Sequence, residues 1–305
     1  MPEPVPNQPV TIAALTVLFG NSLSALRRTV AAFDNSVRLG QEAGVSSGFT
    51  LALGDASPSP LLTPERLEEL RALAPHLDEI RYIFFNENTG TSKGQNGLSR
   101  ETQSDLVLLC NPDVVPDARA MWRMAALLDD PRCGIVEAKQ LPLEHPRDYE
   151  TGSGRTSWCS GAFSMLRRSV FEEVEGFDQQ TFFLYCDDVD LSWRIREAGY
   201  DTMIQPAAVV FHGKSLSGEG GWIPTEAERY YSAEAALLLA HKWSRDDILD
   251  GLLDTFESGL DPLHLRAAAE FRRRQTEDEL VPQRDADHAI GTFVEGEYAA
   301  HRYAL

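Results

Sequence analysis

The run VTIAALTVLF, Val10 to Phe19, is nearly continuous in apolar and β-branched residues. A strand with one wet face alternates polar and apolar side chains. An unbroken run therefore belongs to a strand covered on both faces, the situation of a parallel sheet flanked by helices. The next residues supply the flanks. Leu23, Leu26, Val30 and Phe33 fall at helical spacing, and FTLALGD (Phe49 to Asp55) repeats the strand pattern. In TPERLEELRALAPHL, Thr63 reads as an N-cap and Pro64 as the first helical residue, with Leu67, Leu70 and Leu73 beyond. IRYIFFN is a third strand and runs into the glycine-rich NENTGTSKGQNG, read as a polar strand-to-helix loop. DLVLLCNPDVVPD supplies a fourth. Strands alternating with helices predict an α/β fold with a mainly parallel central sheet, whose functional residues gather at the carboxyl ends of the strands.

A helix at DARAMWRMAALLDD, a strand near GIVEAKQL and a last strand AAVVFH ending at His212 continue the pattern. GKSLSGEGGW then reads as a flexible loop, and from Pro224 the sequence turns helical. The expected organisation is an α/β domain over residues 1–222 and a C-terminal helical extension and tail over 223–305. Net charge is −19, from 28 Lys and Arg against 47 Asp and Glu, which excludes a general nucleic-acid binder but leaves room for a local diphosphate pocket. No run approaches the roughly 20 apolar residues of a membrane span. MPEPVPNQPV lacks the form of a signal peptide, so a cytoplasmic chain is expected, with peripheral contact at the inner face of the membrane left open. Cys110, Cys133, Cys159 and Cys186 form no Cys-x-x-Cys pair, which argues for buried thiols over thiolate zinc.

Four stretches can carry chemistry. Asn111-Pro112-Asp113 leaves a buried strand on a proline-stiffened segment, suiting Mg²⁺ or Mn²⁺ shared with a phosphate, though it is also good turn chemistry. The glycine-rich stretch matches neither standard phosphate loop; it offers Gly90, Gly94 and Gly97 for close backbone approach, Asn88 and Asn96, and Lys93 to meet a phosphate. His212 ends an apolar strand and is either a satisfied polar residue or a metal ligand. In FFLYCDDVDLSWRIREAGY, Asp187 or Asp188 can cap a helix that buries Leu191, Ile195 and Ala198 and stops at Gly199, and Asp190 can pair with Arg194. Crowded, buried carboxylates acquire raised pKa values, the property of a general base.

The order LALGDAS, NENTGTSKGQNG, LLCNPDVV, WCSGAFSMLRRSVFEEVEGFD, FFLYCDDVDLSWRIREAGY and VVFHGKS resembles the family 2 glycosyltransferases, inverting enzymes of the GT-A fold that use nucleotide sugars. The match is to the bacterial rhamnosyltransferase-like branch acting on cell-surface polysaccharides, and it runs from Val10 to Ser215. The resemblance implies that Asp55 binds the nucleotide base, with Phe19 and Asn21 near the nucleotide at the end of the first strand. It implies that Asn111 and Asp113 meet metal and diphosphate, and that His212 completes the metal site. Asp188 would be the catalytic base with Asp187 in support, and Trp158, Ser160 and Gly161 would face donor and acceptor. Three departures stand out: Thr91-Ser92-Lys93-Gly94 replaces an aromatic or aliphatic residue before Gly-Gly, Gly54-Asp55-Ala56-Ser57 replaces Asp-Asn-x-Ser, and Asp187-Asp188 replaces Glu-Asp.

The implied reaction is metal-assisted transfer from a dTDP-rhamnose or UDP-sugar donor to a saccharide or lipid-linked saccharide acceptor, with the loop from Gly213 to Gly221 closing over the donor. A metal-dependent nucleotidyltransferase of similar fold and a non-catalytic sugar-binding module stay open as alternatives. Tyr230, Tyr231 and Arg272-Arg273-Arg274 in the extension fit acceptor binding, a homodimer, membrane contact or a solvated helix face.

Overall fold

The computed structural model describes residues 5–144, 149–214, 223–294 and 296; most of the expected lid loop, residues 215–221, lies outside them. The strands are β1 (Val10–Leu18), β2 (Ser46–Asp55), β3 (Glu79–Phe84), β4 (Leu106–Cys110), β5 (Val114–Pro116), β6 (Cys133–Leu141), β7 (Phe163–Arg167) and β8 (Asp201–His212). They form one sheet in the order β3-β2-β1-β4-β7-β6-β8-β5. The pairs among β1 to β4 are parallel, as is β6 with β8. The sheet turns antiparallel where β7 inserts between β4 and β6, and where β5 joins β8. The helices are α1 (Leu23–Glu42), α2 (Pro64–Leu73), α3 (Gly90–Arg100), α4 (Ala120–Leu127), α5 (Arg168–Glu173), α6 (Asp187–Glu197), α7 (Glu226–Lys242), α8 (Asp246–Ser258) and α9 (Pro262–Thr276).

As its apolar run requires, β1 is covered on both sides. Ile12, Ala14 and Leu18 pack with Leu26, Val30 and Phe33 of α1, while Ala13 and Leu15 pack with Leu98 of α3. Each large side chain so buried contributes about 1.5–3 kcal/mol by transfer from water, an upper figure because unfolded chains are already partly collapsed. Thr63 caps α2, with Pro64 inside its first turn.

The glycine-rich stretch departs from expectation: residues 90–100 are helical. Glycine disfavours a helix by about 1 kcal/mol against alanine, so packing decides here. A Cβ on Gly94 would stand 2.7 Å from a Val17 methyl and 2.8 Å from the Thr89 hydroxyl, so only glycine lets α3 lie this close to β1. Gly94→Ala is expected to lower stability by about 1–3 kcal/mol through overpacking, read as a fall in the urea midpoint without a change in slope.

The C-terminal helices do not stand apart. Ala235 and Leu239 of α7, Trp243 at its C-terminal cap and Phe271 of α9 share one apolar cluster with Val189 and Trp193 of α6 and with Trp158. The Trp193 and Trp243 rings meet edge to face at 5.2 Å. The arginine triplet is paired within the chain: Arg272 with Glu257, Arg273 with Glu270, Glu277 and Glu279, and Arg274 with Glu234 and Glu270. Tyr230 is buried, and Tyr231 packs on Phe183 at 4.8 Å. Among the described residues no helix is long and apolar enough to cross a membrane.

Candidate active site

Two walls face each other across a cavity of about 430 Å³. The first is built by strand pairing. β5 runs antiparallel to β8 with Val114 opposite His212, which sets Asp113 beside the imidazole: Asp113 Oδ1 lies 3.4 Å from His212 Nε2. Asn111 Nδ2 is 3.5 Å from the same nitrogen. Burial works against the Asp113 charge, yet the hydrogen bond and charge of His212 prevail and hold the carboxyl below its usual range.

The second wall is the start of α6. Its cap is Cys186 rather than either aspartate, and Ala198 at its far end is exposed; Leu191 and Ile195 are buried as expected, and Gly199 takes the left-handed conformation that stops it. Tyr185 and Cys186 have φ of 68° and 54°, conformations that cost a non-glycine residue about 1–3 kcal/mol each and persist only where surroundings impose them. This turn delivers Asp187 and Asp188 together into the first helical turn. Asp187 is buried and accepts from the Ser92 hydroxyl at 3.2 Å. Burial, and then the Asp188 charge, push its pKa well above the ordinary carboxylate range, so it retains its proton near neutrality. Asp188 is half-buried, and its Oδ2 accepts from the Gly161 backbone N–H at 2.9 Å. Asp190 points away into the core, where Arg194 Nε (2.8 Å), Lys242 Nζ (2.6 Å) and Trp243 Nε1 (3.1 Å) surround it.

Asn21, Asn111, Asp113, His212, Trp158, Ser160, Gly161, Asp187 and Asp188 thus line one cavity. The remaining sequence candidates do not line it. Phe19 is exposed at the end of β1, its N–H held by Asn21 Oδ1 at 2.8 Å. Asp55 is wholly buried and accepts from the Ser57 and Leu61 N–H groups (3.0 and 2.7 Å) and the Tyr82 hydroxyl (2.5 Å), so it shapes the turn after β2. Asn88 accepts from the Gly90 N–H at 3.3 Å, and Gly90 (φ 61°) turns the chain into α3 against Phe183. Lys93 points outward to Glu87 at 2.7 Å, and Asn96 clamps both backbone groups of Phe177. Once the stretch is helical the reason is plain: positions four apart share a face, and Thr91 and Gln95 are the pair that lines the cavity. Lys214, Thr225 and Glu228 line it as well. Only a helical reading of the glycine-rich stretch would have found Thr91 and Gln95 in the sequence.

No protein-family model matches the chain. Among curated proteins it is 32% identical over 149 residues to an N-acetylglucosaminyl-diphospho-decaprenol L-rhamnosyltransferase of Mycobacterium tuberculosis, covering 37% of this chain and 48% of that one. It is 44% identical over 55 residues to the rhamnosyltransferase WbbL of Escherichia coli, covering 18% and 20%. It is 23% identical over 209 residues to the O-antigen chain rhamnosyltransferase RfbN of Salmonella typhimurium, covering 58% and 64%. The chain spans about half the length of the first of these relatives and under two thirds of the others. Among solved structures it resembles the mannosyltransferase PcManGT of Pyrobaculum calidifontis in complex with GDP-Man and Mn²⁺, with TM-score 0.59, 15% identity and coverage of 90% and 84%. It also resembles GalNAc-T7 with UDP, GalNAc and Mn²⁺, with TM-score 0.62, 13% identity and coverage of 90% and 59%. At such identities these two speak for the fold alone. In fold the chain is a GT-A protein, and in sequence it is rhamnosyltransferase-like.

Proposed function

We propose that the chain is an inverting, divalent-metal-dependent glycosyltransferase. It moves a sugar from a nucleotide-sugar donor to a hydroxyl of a saccharide or lipid-linked saccharide acceptor in cell-surface polysaccharide synthesis. The observation that carries this reading is the pair of walls: a carboxylate fixed by the Gly161 N–H on one side, a carboxylate–imidazole pair on the other, with a cavity between. The names of the sequence relatives favour rhamnose as the sugar, and the GDP-Man and UDP bound in the two structural neighbours favour a nucleoside diphosphate as leaving group.

Asp113 and His212 fit Mg²⁺ or Mn²⁺. They offer one hard oxygen and one imidazole nitrogen, and among the described residues no third His, Cys, Asp or Glu joins them. Such incomplete sets suit ions that keep waters and take phosphate oxygens from substrate. When bound, the cation neutralises charge on the departing diphosphate. Asp188 takes the proton of the acceptor hydroxyl as it attacks the anomeric carbon from the face opposite the diphosphate, which inverts that centre. The Gly161 N–H holds this carboxylate in place. Asp187, keeping its own proton, limits the negative charge beside it. Lys214 and Asn111 contribute positive charge and an amide donor on the diphosphate side.

The test uses purified chain, a panel of nucleotide sugars including dTDP-rhamnose, and a synthetic lipid-diphosphate-linked sugar as acceptor. Release of nucleoside diphosphate should require Mg²⁺ or Mn²⁺, rise with acceptor and stop with EDTA. A nucleotidyltransferase would instead release pyrophosphate from a nucleoside triphosphate, and a binding module would release nothing; either result sinks the reading.

A further inference from the structure

A buried hydrogen-bonded chain behind the cavity reaches both walls. His212 Nδ1 lies 2.8 Å from Gln140 Oε1, and Gln140 Nε2 donates to Glu137 Oε1 at 2.9 Å. The other Glu137 oxygen accepts from the Ser160 N–H at 2.6 Å, and the next residue, Gly161, donates to Asp188. Glu137 and Gln140 are respectively 0% and 1% exposed, so this contact is not incidental surface pairing.

The hydrogen-bonded chain has a direction. A carboxylate accepts and does not donate, so Glu137 draws the NH₂ end of the Gln140 amide towards itself. The Gln140 carbonyl oxygen must then face His212, and an acceptor facing Nδ1 demands a proton there. With Nδ1 so held, the proton that Nε2 shares with Asp113 is the one that leaves when a cation binds, and the neutral ring then carries its lone pair on Nε2. Glu137 and Gln140 meet although side chains three apart on a regular strand point to opposite faces. The β6–β8 register shifts between Ala138 and Lys139, and an irregularity of this kind re-aims a side chain.

We propose that Glu137 and Gln140 are positioning residues that fix His212 as the Nδ1–H tautomer, with Nε2 presented to a divalent cation. Through Ser160 the same carboxylate anchors the segment that holds Asp188. The cation half of this inference rests on the function proposed above; the tautomer half does not. Partners one step behind a metal ligand change affinity by about 10–100-fold when removed.

Two measurements test it. In metal-free wild-type chain at pH 8, long-range ¹⁵N–¹H correlations of His212 should show Nδ1 protonated; an unprotonated Nδ1 with the proton on Nε2 overturns the proposal, whatever metal does. In the second, Mn²⁺ binding is followed by electron paramagnetic resonance with a nucleoside diphosphate present. Gln140→Met keeps the side-chain length and removes the acceptor, and should weaken Mn²⁺ by about 10–100-fold while the unfolding midpoint of the variant shows it folded. Unchanged affinity in Gln140→Met alongside a loss in His212→Ala overturns the positioning role alone. Unchanged affinity in His212→Ala and Asp113→Ala would overturn the cation reading, and with it the cation half of this proposal.

Discussion

Asp188→Asn is expected to lower sugar transfer by about 10²–10⁴-fold, the usual contribution of a positioned general base, while nucleotide binding and the unfolding curve stay close to wild type. The reason is geometric. Asparagine has nearly the same shape, and its carbonyl oxygen can keep the bond from the Gly161 N–H, while the one that the other Asp188 oxygen accepts from the Val189 N–H (2.9 Å) is given up. The capacity to take a proton is lost. Asp187 cannot substitute readily: it is buried, and its raised pKa leaves it protonated near neutrality, when a base must be empty. Steady-state transfer with saturating donor and acceptor gives the comparison. Transfer in Asp188→Asn within a few-fold of wild type, or a far larger loss in Asp187→Asn, would move the base to the other carboxylate.

Much of this site was legible in the sequence because strand ends and helix starts are local. β1, β2, β4 and α6 follow from apolar runs and helical spacing; Asn21, Asn111 and Asp113 lie just past the carboxyl ends of β1 and β4, Asp187 and Asp188 at the start of α6, and all five line one cavity. His212 joined them because the last strand ends there. Two things were hidden. The helicity of residues 90–100 depends on tight contact with β1, which overrides glycine's poor propensity, and with it went the identity of the cavity-facing pair Thr91 and Gln95. The second was Asp190. Its pairing with Arg194 follows from spacing four apart, but its contacts with Lys242 and Trp243 are made 52 and 53 positions away, beyond any local pattern.

Those distant contacts predict the largest loss of stability. Lys242→Met should destabilise the chain by about 3–5 kcal/mol, as removing one member of a buried ion network does, against a total of about 5–15 kcal/mol for a protein of ordinary stability. Lys242 Nζ sits 2.6 Å from Asp190 and 2.7 Å from Asp178, and the lysine is 5% exposed. Methionine fills the space of the stem but leaves two carboxylates with Arg194 as the remaining cation on Asp190. Burial tends to raise the Asp178 pKa, but the Lys242 charge and hydrogen bond prevail and hold it low. A carboxyl depressed on folding stabilises above its unfolded pKa of about 3.9, and that contribution fades as pH falls through the folded value. The stability lost on acidification below about pH 4 should therefore be smaller in Lys242→Met than in wild type. Adding Asp178→Asn to Lys242→Met should recover part of the loss, because it removes a charge that no longer has its partner. Guanidinium unfolding at pH 7 and pH 3 measures all of this. A midpoint unmoved by Lys242→Met would mean that the aromatic cluster of Trp158, Trp193 and Trp243, rather than the ion network, fastens α7 to the helix that carries Asp188.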